Sequence, residues 1–474
     1  MSAVFLTDED RSKIDRIATA MFTQQCALAQ TPKMAAGVVA DGEILSFSGH
    51  QATPNSLFRI ASMTKSFTAA AVLLLRDEGQ LRLDEPIATY APEFAELSGP
   101  TADAPALTAR LLLTMAGGLG TDDPWGDRHL DISDDEFDAV VSGGPIFGKQ
   151  PGTGFEYSNL GYGILGRLIH RITGIRPQEL ITERLLSPLG MSHTVWESHQ
   201  APTGTDVVIG TRSDNLTPEI IPLDGGLATM GGLWSTVTDL AKWVEFFADA
   251  FPPRDDDERF PLKRSSRREM QGMHTFHQPL HHLASDGAPV TTTSGGYGMG
   301  LLLQHDRVLG EIVGHSGGLP GYGSNMRWVK GSPFGVVALG NATYTPMATA
   351  TRRVLDALSA AKVVRRPARP VSDDLRSGGA SLFALLSNWS TVAAEALFAD
   401  NVAPDEDFTM RALNATQLFS AHGDCRLARV ESTSNAAGRL IIQAVSGELV
   451  IDFSLAPVSK VGAPRIQAYQ LPKK

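Results

Sequence analysis

The chain has 474 residues, 42% hydrophobic and 20% charged, the balance of a globular protein with more material than one domain needs. Its formal net charge of −11 argues against nucleic acid or an anionic membrane surface as a partner. No stretch of about 18 apolar residues occurs, so no membrane-spanning helix is predicted.

The first ten residues hold no basic cluster and no long apolar run, so a signal peptide is not expected and a cytoplasmic location is. Thr7 followed by acids reads as the cap of a first helix, with Ile14, Ile17, Met21 and Leu28 on one stripe. Cys26 and Cys425 lie far apart and read as free thiols. Asp41-Gly42 between apolar runs at 35–40 and 43–47 predicts a β-hairpin.

The next segment carries chemistry. Phe58-Arg-Ile-Ala-Ser62-Met-Thr-Lys65 leads into an apolar helical run through Leu75. Residues three apart share a helix face, so Ser62 and Lys65 can meet. A hydroxyl needs a base to become a nucleophile. A lysine serves when burial and a helix N-terminus lower its pKa. Ser133 to Glu136 fits a capping box in an acidic patch. Pro151-Gly-Thr-Gly154 then delivers Tyr157 and Asn159 two residues apart, on one side of an extended or turn segment, before a Gly-studded helix at 161–174. A phenol can move a proton, and an amide can hold a carbonyl.

Gly226, Gly231 and Gly232 mark a candidate mobile segment of the cleft. The charge blocks from Arg254 to Arg268 read as a surface loop and helix face. His274, His277, His281 and His282 have ligand-like spacing. The turn-rich segment lacks acid or Cys among them, so it reads as an exposed polar loop, with bordering the cleft as a second option. Gly314-His315-Ser316-Gly317-Gly318 permits close backbone approach to a ligand, and a free N–H there could form half of an oxyanion hole. A second hairpin, 324–329 with 335–339, and a helix at 347–361 follow.

Taken together, Ser-x-x-Lys, Tyr-x-Asn and His-Ser-Gly in this order resemble the three motifs of the serine β-lactamase and penicillin-binding-protein superfamily. The likeness spans about 10–365. It is closest to the branch holding class C β-lactamases, DD-peptidases, D-aminopeptidases and related esterases. Leu112-Leu-Thr-Met-Ala-Gly-Gly-Leu119 resembles another stretch of that branch. The resemblance implies Ser62 as nucleophile, Lys65 as its proton acceptor and Tyr157 as second acid/base. It implies Asn159 on the substrate amide, and His315, Ser316 and Gly317 in the third motif, His315 standing where relatives hold lysine. The N–H groups of Ser62 and Gly318 would form the oxyanion hole. Gly314 to Gly318 also fits Gly-x-Ser-x-Gly, the α/β-hydrolase elbow, but the glycines and Pro320 that follow exclude the helix it requires.

The expected fold is α+β within a broad α/β class. One antiparallel sheet, built from both ends of the first domain (1–365) with flanking helices, joins a mostly helical region at about 60–300. A linker (366–379) precedes a small α+β domain (380–474), expected as one helix (Leu382, Leu385, Leu386, Trp389, Val392) on a curved sheet. The implied function is a serine hydrolase forming an acyl-enzyme on small peptides with D-residues. A carboxylesterase or β-lactamase is the alternative, and a non-catalytic β-lactam sensor or scaffold is more remote. No cofactor or metal is implied. The implied partner is a small molecule or short peptide, and a homo-oligomer stays open.

Overall fold

The computed structural model describes residues 6–97, 99–282, 291–457 and 465–472, with backbone alone at 278–282 and 291–293. The opening five residues and the side chains of His281 and His282 therefore lie outside the described residues. The chain divides into two compact units, 1–366 and 367–474. Among the described residues no helix is long and apolar enough to cross a membrane.

The first unit opens with helix Asp8–Ala29, held by a reciprocal capping box between Thr7 and Asp10, as the acids after Thr7 predict. Its buried stripe is Ile14, Ala18, Phe22 and Cys26, while Leu28 is exposed. The helix turns Leu28 off the face that the predicted stripe assigned to it.

The unit's strands are β1 (Met34–Ala40), β2 (Glu43–His50), β3 (Phe58–Arg59), β4 (Trp234–Ser235), β5 (Thr275–His282), β6 (Thr291–Tyr297), β7 (Leu302–Asp306), β8 (Gly310–Leu319), β9 (Tyr322–Val329) and β10 (Gly335–Gly340). Eight of them form one antiparallel sheet in the order β2-β1-β10-β9-β8-β7-β6-β5, and β3 pairs with β4. Asp41 and Gly42, both at positive φ, turn β1 into β2. Every residue of β1 and β10 is buried, because both faces of the sheet centre are covered. Helices Asp8–Ala29 and Met347–Ala360 close one face around Ile14, Phe22, Val336 and Val354. The larger core fills the other face and continues into the helical region through Phe67, Trp243, Phe247 and Trp328.

Three expectations need correcting here. The mostly helical middle ends near 270, since 275–297 adds two strands to the sheet edge, so His277 lies on a strand and not on a loop. The Arg254–Arg268 region is not simply a surface face. Arg264 and Arg267 are buried, and Arg267 meets Asp249 and Glu258 at 3.1 Å each. Charge alternation in sequence does not distinguish a solvated run from a buried ion-pair network. Finally, the segment with Gly226, Gly231 and Gly232 holds helix Ala228–Gly231, buried throughout. The elbow reading fails as expected, because β8 turns at Gly321 (φ +87°) straight into β9.

The second unit carries β11 (Arg426–Ser434), β12 (Ala437–Ala444), β13 (Gly447–Leu455) and β14 (Ile466–Gln470) in sequential antiparallel order. Four helices replace the single one expected: Asp373–Ser387, Thr391–Leu397, Val402–Asp405 and Phe408–His422. The first starts inside the segment read as linker, capped by Ser372. Its Gly379 packs so tightly that a Cβ would stand 2.9 Å from Val430 and 3.0 Å from Leu440. The absence of a Cβ at Gly379 lets the helix sit close on the sheet. Leu382, Leu385 and Leu386 join that core, but Val392 is exposed.

Candidate active site

Ser62 lies in a short 3-10 turn, Ala61–Met63, that feeds helix Thr64–Asp77. Ala61 before it has φ +50°, a left-handed conformation that costs a non-glycine residue about 1 kcal/mol or more. The sheet holds this turn from below. Ser324 Oγ on β9 donates to the Ile60 carbonyl at 2.7 Å. Gly317 on β8 is in such close contact that a Cβ would lie 2.2 Å from the Ile60 oxygen and 2.9 Å from Ala61 Cβ. A glycine is therefore required at 317 for the nucleophile turn to seat.

Lys65 has no exposed surface. Its Nζ donates to Ser62 Oγ at 2.9 Å, Asn159 Oδ1 at 2.6 Å and the Met230 carbonyl at 2.9 Å. Burial lowers its pKa to about 8, against the pull of Asp123, Asp127 and Asp122. At pH 7 about one molecule in ten then carries a neutral amine. A base on the serine proton is thus available without a large pH change.

Tyr157 enters from the loop before helix Asn159–Thr173 and hydrogen-bonds to Ser62. The Lys65 Nζ lies 4.9 Å from its ring centroid. Burial raises the phenol well above its ordinary pKa, with Asp123 adding to the shift. The group is therefore a proton donor at neutral pH and not a standing phenolate.

Asn159 is completely buried. Its carbonyl oxygen takes Lys65 and its amide nitrogen donates to Asp123 at 2.8 Å. Asn159 and Tyr157 face Lys65 together, its Nζ lying 2.6 Å from Asn159 Oδ1 and 4.9 Å from the Tyr157 ring centroid.

His315 is 2% exposed. Its Nδ1–H donates to the Ser316 carbonyl at 2.5 Å, and Nε2 accepts from the Tyr297 hydroxyl at 3.0 Å. Burial, with Lys65 nearby, drives its pKa down to about 3. The imidazole is therefore neutral in all ordinary conditions. Ser62, Tyr157, His315, Ser316, Gly317 and Gly318 all line one cavity of about 360 Å³. A second cavity of about 790 Å³ meets Tyr157 from another side, bordered by Phe155, Phe276 and His277. The strand that replaced the predicted loop borders this second cavity and is not among the residues lining the Ser62 cavity.

Sequence reasoning missed the carboxylates. Asp122 accepts from the backbone N–H groups of Asn159 and Leu160 at 2.7 and 2.8 Å, an anion on a helix N-terminus. Asp123 and Asp127 line the Ser62 cavity, and Tyr344 donates to Asp127 at 2.8 Å. The signal was present in Asp122-Asp123-Pro124-Trp125-Gly126-Asp127: three acids around a helix-starting proline. Nothing local indicates that the segment folds onto Lys65.

A serine hydroxyl between a depressed lysine and a protonated phenol, facing glycine backbone, can attack a carbonyl and pass its proton onward. The sequence profile described as Beta-lactamase matches residues 18–361. The chain is 25% identical over 350 residues to Protein flp of Staphylococcus aureus (strain N315), covering 71% of this chain and 64%, under two-thirds, of that protein. The octameric penicillin-binding protein homologue from Pyrococcus abyssi superposes with a TM-score of 0.60 at 19% identity, covering 96% of each chain. The D-stereospecific amidohydrolase from Streptomyces sp. gives 0.55 at 20% identity, covering 73% of this chain and 98% of that one.

Proposed function

For this chain, which belongs to the β-lactamase family, we propose a serine hydrolase that forms an acyl-enzyme at Ser62 and hydrolyses amide bonds of small peptides containing D-residues. Neutral Lys65 takes the Ser62 proton as Oγ bonds to the substrate carbonyl carbon. The N–H groups of Ser62 and Gly318 hold the resulting oxyanion. Tyr157 gives its proton to the leaving nitrogen as the C–N bond breaks, and recovers one through the Ser62–Lys65 contact. Water then attacks the ester, releasing the acid and restoring Ser62. Asn159 acts by holding Lys65 in line.

The observation that carries this reading is the Lys65 amine, buried and shifted to about 8, at 2.9 Å from Ser62 Oγ. Burying a lysine in this way costs stability. A non-catalytic scaffold would have no use for it. The name of the Streptomyces relative supports amide substrates with D-stereochemistry. A carboxylesterase would use the same groups on an easier leaving group. β-Lactamase activity ranks lower, because neutral His315 offers no cation to a β-lactam carboxylate. The octameric state named for the Pyrococcus relative supports a homo-oligomer.

The test is intact-protein mass after exposure to a fluorophosphonate and, separately, to benzylpenicillin. The proposal expects a fluorophosphonate adduct on Ser62 that Ser62→Ala abolishes. An unlabelled wild-type protein would sink it. Benzylpenicillin consumed without a lasting adduct would make β-lactamase the activity.

A further inference from the structure

The third motif rests on a buried polar network. Asn325 on β9 stands directly across from Ser316 on β8. Its amide nitrogen donates to Ser316 Oγ at 2.9 Å and to the His315 carbonyl at 3.2 Å. Its amide oxygen accepts from Arg327 Nε at 3.1 Å and from Thr351 Oγ1 at 2.5 Å. Asn325, Arg327 and Thr351 are all buried. A guanidinium has no acceptor, so the amide cannot flip. The oxygen must face Arg327, and the NH2 group must face Ser316.

That orientation decides what Ser316 does. Its Oγ is taken as an acceptor by Asn325, so its own O–H turns elsewhere. Ser316 is half-buried and lines the Ser62 cavity, which leaves its proton to that space. Arg327 strengthens the donor. Two of its N–H groups go to neutral oxygens, those of Asn325 and of the Ala348 carbonyl at 2.9 Å. Burial, with Arg352 adding to it, lowers its pKa to about 10, so it stays a cation at neutral pH. Its charge polarises the amide, and through it the Ser316 hydroxyl, along one chain of hydrogen bonds. The cavity wall holds Asp123 and Asp127 and, among the described residues, no arginine or lysine. A neutral acceptor therefore suits the Ser316 hydroxyl better than a carboxylate.

We propose that Asn325 is a positioning residue for the reaction at Ser62. It fixes the Ser316 hydroxyl as a donor to a second carbonyl of the substrate, distinct from the scissile one, and Arg327 behind it sets the strength of that bond. This inference rests on the hydrolase reading of Ser62 and deepens it. It makes the site favour substrates that carry an amide carbonyl close to the bond being cut.

The experiment compares p-nitrophenyl N-acetylglycinate, which carries the second carbonyl, with p-nitrophenyl pentanoate, which has the same chain length and lacks it. The readout is the ratio of their kcat/KM values in each variant, so the intrinsic difference between the esters cancels. Asn325→Asp keeps the shape and can pair with Arg327, but it makes position 325 an acceptor that draws the Ser316 proton away from the cavity. The ratio should fall by at least about tenfold. Ser316→Ala should give the same fall, and the double variant no further one. Ser316→Thr, which keeps the hydroxyl, should retain the wild-type ratio. A merely structural Asn325 would lower both esters alike. A ratio unchanged in Asn325→Asp or in Ser316→Ala overturns the inference, as does a further fall in the double variant. Fluorophosphonate labelling of Ser62 shows in each variant that the nucleophile is assembled; if Asn325→Asp does not fold, Ser316→Ala against Ser316→Thr decides. A wild-type protein that does not label overturns the hydrolase reading, and this inference with it. Labelling with an unchanged ratio overturns the inference alone.

Discussion

Replacing Asn159 by alanine should shift the acid limb of the pH–rate profile downward by about one to two units. The Asn159 carbonyl accepts from the Lys65 ammonium at 2.6 Å inside a fully buried site. A hydrogen bond to a charged group is worth about 1.5–3 kcal/mol. It is stronger for the protonated lysine than for the neutral amine, so its loss favours the neutral amine. At 1.36 kcal/mol per unit, the Lys65 pKa falls from about 8 to about 6–7.

The neutral fraction at pH 7 rises from about a tenth to a half or more, but the weaker base lowers the plateau rate. The assay is the second-order rate of fluorophosphonate labelling at Ser62, followed by intact mass from pH 5 to 10. A limb that stays in place, or moves upward, would refute the assignment of Lys65 as the titrating base held by Asn159.

Three other substitutions probe separate parts of the argument. Gly317→Ala should slow Ser62 labelling by about a hundredfold through displacement of the nucleophile turn; since overpacking costs only about 1–3 kcal/mol, thermal melting should still show a folded protein. His315, with a folded pKa of about 3 against about 6.5 unfolded, contributes stability that is present above pH 6.5 and lost as pH falls through that window. The stability difference between wild type and His315→Gln should therefore tilt by a few kcal/mol between pH 6.5 and 3. Asp127, held up to about 7, titrates in the opposite sense between about pH 4 and 7, which is why the difference between the two urea-unfolding curves is the readout. Arg267→Met removes the 3.1 Å partner of buried Asp249, which keeps Arg254 at 2.7 Å, and should cost about 1.5–3 kcal/mol in urea unfolding; a loss below about 1 kcal/mol would show that the network is not structurally important.

The elements that were legible in sequence are those governed by local rules. The Thr7 box, the Asp41-Gly42 turn and the hairpin of 324–329 with 335–339 follow from capping, turn chemistry and apolar runs that a few neighbouring residues decide. The meeting of Ser62 with Lys65 follows from helical spacing. The edge strand at 275–282 was read as a loop because polar and histidine residues carry no strong strand signal, and only pairing with β6 fixes them. Arg267 was read as exposed because nothing near it in sequence announces that Asp249 and Phe246 will close over it.

The sequence by itself determined which reactive groups this protein carries: a serine with a lysine three residues on, a tyrosine two before an asparagine, and a glycine-rich His-Ser-Gly segment, in that order. Tertiary structure decided how those groups are tuned. Only the packed core removes Lys65 from water and drives its pKa to about 8, and only long-range folding brings Asp122, Asp123 and Asp127 around it. The fold also turns Asn159 inward and keeps His315 neutral. The physical reason is that bonds and spacing are local properties of a chain, whereas desolvation and Coulomb fields sum over every residue that the fold brings near.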